Sequence, residues 1–178
     1  MSMFPIATSG VLGSTTTYVD FASITQNFTH LQLRCYFKSA YSAGIPGLYV
    51  TPWFNNTGGG NGYWHNLSGN GSTTSSGSGS SAYYTGVSGP QNSGTTNIFG
   101  VAIVDILDYS NTNKYKTIRS VGGYDQNGAG IASLGSLFRY DGTNAINGFR
   151  IDDSGGGGWL AGSRFDLYGI STSNATGA

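Results

Sequence analysis

Phe28-Thr-His-Leu-Gln-Leu-Arg-Cys-Tyr-Phe-Lys38 decides the fold class. Leu31, Leu33, Cys35 and Phe37 take alternate positions, and His30, Gln32, Arg34, Tyr36 and Lys38 take those between. A period of two is the signature of a strand with one buried face and one wet face. Working outward, residues 15–21 are rich in β-formers. Residues 47–54 (GLYVTPWF) read as a strand that Pro52 confines to an edge or ends. Residues 62–67 (GYWHNL) and 81–87 (SAYYTGV) are shorter strands. Residues 97–107 (NIFGVAIVDIL) are apolar at both parities, which predicts a central strand covered on both faces. It pairs with residues 114–122 (KYKTIRSVG) through the Asp/Asn/Ser-rich turn 108–113. Residues 130–140, 145–151 and 164–170 complete about ten strands. The expected architecture is an all-β antiparallel sandwich, jelly-roll-like, in a single domain over residues 1–178 with short N- and C-terminal arms. Leu31, Leu33, Phe37, Ile103, Phe165 and Leu167 are expected on the inner faces.

Composition agrees and excludes several classes. Gly, Ser, Thr and Asn make up 48% of the 178 residues, and there is no Glu, so strong helix formers are scarce. Aromatic residues at 13% supply enough apolar surface to fold despite only 9% charge. A net charge of zero without a basic cluster argues against a nucleic-acid partner. No apolar run is long enough for a membrane helix, so no membrane partner is expected. The start, Met1-Ser-Met-Phe-Pro5, has no signal-peptide character. The single Cys35 allows no intrachain disulfide framework. Together these predict synthesis in a host cytoplasm and service as an exposed, uncharged surface protein.

Chemistry-bearing residues are few. His30 and His65 are the only histidines, and Cys35 falls on the apolar side of its strand, which suits a buried small hydrophobe rather than a nucleophile. All eight acids are Asp, most in turn contexts. Asp125-Gln-Asn-Gly128 and Asp152-Asp153 offer oxygen ligands that could suit calcium, but neither forms a calcium loop with a closing Glu. The glycine runs 58–60 and 155–158 lack the Lys-Ser/Thr pair of a phosphate cradle. No catalytic residue, metal site or cofactor is therefore expected, and the chain is read as a non-enzyme. Aromatic residues stand out instead: Trp53, Phe54, Tyr63, Trp64, Tyr83, Tyr84 and Trp159. Adjacent aromatic pairs in extended chain point to opposite faces, so part of this set should face outward, as an interface or a sugar platform. Residues 68–81 (SGNGSTTSSGSGSS) read as a long loop inside the domain. With no apolar side chain of its own to bury, this loop and the tail after residue 170 are expected to be mobile in the monomer and to lie against another subunit.

Ala145-Ile-Asn-Gly-Phe-Arg-Ile-Asp152 and Gly162-Ser-Arg-Phe-Asp-Leu-Tyr-Gly-Ile170 stand near the C-terminus. Phe99-Gly-Val-Ala-Ile-Val-Asp-Ile-Leu-Asp-Tyr109, Asn113-Lys-Tyr-Lys-Thr-Ile-Arg-Ser120 and Thr29-His-Leu-Gln-Leu-Arg34 lie upstream. Together they resemble a group of virion structural proteins of tailed bacteriophages that end in a Gly-Ser-x-Phe-x-Leu-Tyr-Gly-Ile-like strand. The resemblance covers most of residues 28–170 and brings no catalytic residues. It implies a phage particle protein. Two places in the particle follow as expectations, ahead of a third and weakest reading, a polysaccharide-degrading tail enzyme, which needs a larger scaffold and a carboxylate cleft. One is a capsid cement (decoration) protein, a trimer on the outer capsid surface that bridges the major capsid protein. The other is a tail or fibre receptor-binding domain that recognises host glycans.

Overall fold

The computed structural model describes residues 2–43, 46–52, 62–80, 83–93, 96–128, 130–140 and 143–171, with backbone alone for 52 and 133–140. It is all-β, and no helix occurs among the described residues. Twelve strands follow in order: β1 (Ser2–Val11), β2 (Val19–Phe21), β3 (His30–Phe37), β4 (Gly47–Pro52), β5 (Gly62–Gly69), β6 (Thr74–Ser80), β7 (Tyr84–Ser88), β8 (Gly100–Leu107), β9 (Lys116–Asp125), β10 (Gly130–Tyr140), β11 (Phe149–Asp153) and β12 (Arg164–Ser171). Eight form a large sheet in the order β1-β12-β3-β8-β9-β10-β5-β6, and four form a small sheet, β2-β11-β4-β7. Neighbouring strands are antiparallel.

The sandwich closes on alternate residues. Leu31, Leu33, Cys35 and Phe37 of β3 are buried as their period predicts, as are Phe165 and Leu167 of β12 and Ala102, Val104 and Ile106 of β8. Facing them from the small sheet are Val19, Phe21, Leu48, Val50, Val87, Phe149 and Ile151. One polar bond crosses the gap between the sheets and a second carries it on within the small sheet. Ser120 Oγ on β9 donates to the Thr85 carbonyl on β7, and Thr85 Oγ1 donates to Leu48 O at 2.8 Å. Lys116 is fully buried, yet its three ammonium donors meet the carbonyls of Asn111, Lys114 and Thr143, the last two at 3.0 Å. Burial lowers its pKa, and Asp108 opposes that shift.

Trp159 lies at the centre of the core with no exposed surface. Its ring stands edge-on to Phe37 at 5.4 Å and tilts against Phe165 at 5.3 Å, both from the large sheet. Its Nε1–H donates to Ile151 O of the small sheet at 3.0 Å. Its backbone exchanges hydrogen bonds with Thr16 at 2.7 and 2.9 Å. The four glycines before it are what permit this seat. Gly156 and Gly158 have φ of +72° and +80°, a region that side chains resist. A Cβ on Gly155 would stand 2.2 Å from the Tyr41 ring.

Four expectations change. Ile103 is 40% exposed, not buried. Both parities of β8 are apolar, so the pattern alone could not choose its inner set, and Ala102, Val104 and Ile106 take that role. For the same reason β8 is covered on one face only, with Val101 57% exposed. The N-terminal arm is strand β1, paired with β12. The segment read as a long loop is a hairpin: β6 pairs with β5 over seven residues from Tyr63↔Ser80 to Gly69↔Thr74. Asn70 Oδ1 closes its turn by accepting from Ser72 N and Thr73 N at 3.1 and 2.9 Å. The partner of this strand is in its own domain. Its missing apolar burial is supplied by Trp64 of β5, which lies across Gly77 and Gly79. The tail 172–178 lies outside the described residues.

Phe165→Ala is expected to cost about 3–5 kcal/mol, because a buried ring leaves a cavity that the Trp159 seat cannot collapse into. The shift in urea midpoint measures it.

Candidate functional site: the outer face of the large sheet

The side chains of β12, β3, β8 and β9 that point away from the core form registered rows. One row runs Tyr168, Gln32, Asp105, Arg119, and the next runs Asp166, Arg34, Ile103, Val121. The first is polar and tightly bonded. Asp105 accepts from Arg119 at 2.6 Å and from Gln32 at 2.9 Å, Arg34 donates to Gln32 at 3.0 Å, and the Arg34 guanidinium sits 4.9 Å from the Tyr168 ring centre. Arg164 holds Asp166 through two bonds of 2.8 and 3.0 Å.

Beside these charges the surface turns apolar. Val101, Ile103 and Val121 are 57%, 40% and 47% exposed, and Tyr36, also exposed, stacks on Phe99 at 4.7 Å. Val101, Ile103 and Val121 border a groove of about 750 Å³ that continues over Tyr124 and Ile131. The turn carrying Asn70 and Gly71 and the turn carrying Asp125 and Gly128 wall its end. A second hollow of about 410 Å³ adjoins it, where Tyr124 meets the side-chain amides of Asn70, Gln91 and Gln126.

The predicted aromatic set divides. Tyr63 is 40% exposed on the outer face of β5, while its neighbour Trp64 points inward, as adjacent residues of a strand must. Trp64 meets Tyr84 edge-on at 5.0 Å, and Tyr84 tilts against Tyr49 at 6.0 Å. Tyr83 packs partly buried against the core. Trp159 is wholly buried and is corrected from an interface candidate to the core pin. Trp53 and Phe54 lie outside the described residues. The structure therefore does not gather the set into one outward platform. The exposed patch is aliphatic and falls on β8 and β9, where the doubly apolar text of residues 101–107 was the available signal.

Most of the groups weighed for chemistry are buried or held in structural hydrogen bonds. The Cys35 thiol is buried, which drives its pKa up. His30 Nδ1 accepts from Asp108 N at 3.0 Å. Asp125 Oδ1 accepts from Gly128 N at 2.9 Å, which accounts for it as a turn residue. Asp153 accepts from Ser39 Oγ and, at 3.1 Å, from Gly158 N, so it braces the Gly-rich turn. No group of three or more His, Cys or Asp side chains placed to hold a metal occurs among the described residues. On the small sheet, Arg150 pairs with Asp20 through two bonds of 2.9 Å and lies 3.4 Å over the Tyr18 ring. Asp152, two residues on, has a buried Oδ1 without a hydrogen bond. Burial pushes its pKa up to about 6; Arg150 opposes the shift and Asp153 adds to it.

Comparison with protein-family models, with curated proteins and with solved structures finds no match to this chain.

Asp152 gives a pH prediction. The folded protein holds its proton more tightly than the unfolded chain, whose carboxyl titrates near ~4. Its contribution is therefore fully favourable below about 4 and lost as pH rises through about 6. Asp152→Asn is expected to raise the melting temperature at pH 7.5 and leave it unchanged at pH 4. An equal gain at both pH values would assign the effect to packing rather than charge.

Proposed function

We propose that this chain is a non-enzymatic structural protein of a tailed-bacteriophage virion, a cement protein that docks on the capsid shell through the outer face of its large sheet. The observation that carries the reading is the exposed aliphatic patch of Val101, Ile103 and Val121 at the centre of that face. An apolar patch framed by polar and charged side chains is the usual composition of a protein–protein contact. The framing rows are paired among themselves, Arg119 with Asp105 and Arg164 with Asp166, so docking need not bury an unpaired charge there. The likeness of the strand text to phage particle proteins supports a place in the virion, and the compact single domain without coiled-coil heptads or fibre repeats favours the major capsid protein as the partner. Bridging of this kind raises the barrier to shell rupture without any chemical step, and the copies are proposed to gather as a trimer on the shell itself, around a junction between its subunits, rather than in free solution.

A receptor-binding role is the second reading. It is favoured by the hollow where Tyr124 stands among Asn70, Gln91 and Gln126, since an aromatic face with side-chain amides suits a glycan. Copy number separates the two: hundreds of copies per particle fit cement, and a few at the tail fit receptor binding. The direct test uses stripped particles. Wild-type protein is expected to rebind and to raise the temperature of DNA release. The doubly substituted Ile103→Asp, Val121→Asp protein is expected to keep the wild-type circular dichroism and bind about tenfold or more weakly, as for loss of a central apolar contact. Equal rebinding by both proteins, or stripped particles that stay robust but no longer attach to cells, would overturn the cement reading.

A further inference from the structure

Among the described residues the two sheets end in four edge strands, and three carry features that block further pairing. β1 contains Pro5 and pairs irregularly with β12 at Pro5/Ala7 and again at Thr8/Val11. β2 has only three residues. β7 pairs irregularly with β4 and contains Gly86 at a φ of +81°. The fourth, β6, has none of these features. Its seven residues, Thr-Ser-Ser-Gly-Ser-Gly-Ser, pair with β5 without a register shift and include no proline and no charge.

The composition of β6 is only half explained from within the domain. Gly77 and Gly79 point inward under the Trp64 indole. A Cβ at Gly79 would stand 2.8 Å from Nε1, and one at Gly77 would stand 3.2 Å from Cζ3. Ser76, Ser78 and Ser80 point the other way and are exposed. Among the described residues nothing requires serine there, and an edge strand ordinarily carries lysine or another charge at such positions.

We infer that β6 is an interface between two copies of this chain, paired antiparallel about Ser78. The sequence Ser75-Ser-Gly-Ser-Gly-Ser-Ser81 reads identically in both directions around that residue. In this register Ser78 meets Ser78 of the second copy, Gly77 meets its Gly79 and Ser76 meets its Ser80. Odd positions meet odd and even meet even, so the backbone groups that point away from β5 in one copy meet the matching groups of the other. Serine lines the outer face of the seam, and serine already pairs across strands on the inner face, where Ser68 and Ser75 hydrogen-bond at 2.9 Å between β5 and β6. On the inner face the paired glycines leave room for a Trp64 indole on each side of the two-fold. The contact is isologous and closes at two copies, joining two large sheets into one. It does not depend on the virion reading.

The full chain tests this by sedimentation at concentrations up to about 100 µM, the range of weak self-association. Wild type is expected to reach a monomer–dimer equilibrium. Ser78→Lys places like charges directly opposite each other and is expected to raise the dissociation constant by about tenfold or more, with the monomer's circular dichroism unchanged. Under oxidation Ser78→Cys is expected to give a covalent dimer, while Val11→Cys on the β1 edge gives none. A wild type that stays monomeric throughout overturns the inference. So does a dimer that Ser78→Lys leaves intact, or one that Ser78→Cys fails to cross-link.

Discussion

The seating of Trp159 is the contact on which the rest of the sandwich depends. One side chain touches Phe37 and Phe165 of the large sheet and bonds to the Ile151 carbonyl of the small one. Its backbone also ties down Thr16, and its neighbours Gly158 and Leu160 bond to Ala40 and Lys38. An indole buried without a partner for its N–H would forfeit part of this gain, so the position of β11 is fixed as tightly as the ring itself. The Gly-rich turn before it therefore has a packing role: it brings the backbone under Tyr41 and delivers the ring to the core.

With both inner faces committed to that core, the proposed docking falls to the outer face of the large sheet. Its charges are mutually satisfied in the rows around Asp105 and Asp166, and its apolar side chains are not. In the proposed docking the polar part of this surface sets orientation while its aliphatic part gains from losing water. The small sheet differs. Its outward Arg150 is locked to Asp20 and Tyr18, and Asp152 beside it keeps a buried Oδ1 without a hydrogen bond.

Legibility in the sequence followed side-chain contrast. β3 and β12 alternate cleanly, so their inner residues could be named from the text. β8 has apolar residues at both parities, and only its neighbours' register decides that Ile103 faces out. β6 was illegible as a strand because its burial comes from Trp64 on another strand, a contribution no window over its own seven residues contains. β1 was illegible for a related reason, since its partner is β12, more than 150 positions away. The candidate site was half visible. The paired aromatics correctly split between faces at Tyr63 and Trp64, but Trp159 went to the core, because a large ring after four glycines reads the same whether it is displayed or inserted.

The order of strands in the large sheet has a consequence for how the chain is made. β3 lies between β12 and β8, and β12 is also the partner of β1. During vectorial synthesis β1 and one side of β3 emerge with no strand to pair with. They wait through the intervening residues, on the order of ten seconds at typical elongation rates. Trp159 arrives just as late. Until then the nascent chain can assemble the local hairpins β8–β9–β10 and β5–β6, but not the sandwich. Closure is a long-range event and therefore a slow one. The ribosome and its attendant chaperones must keep β1 and β3 from pairing with other chains throughout that interval.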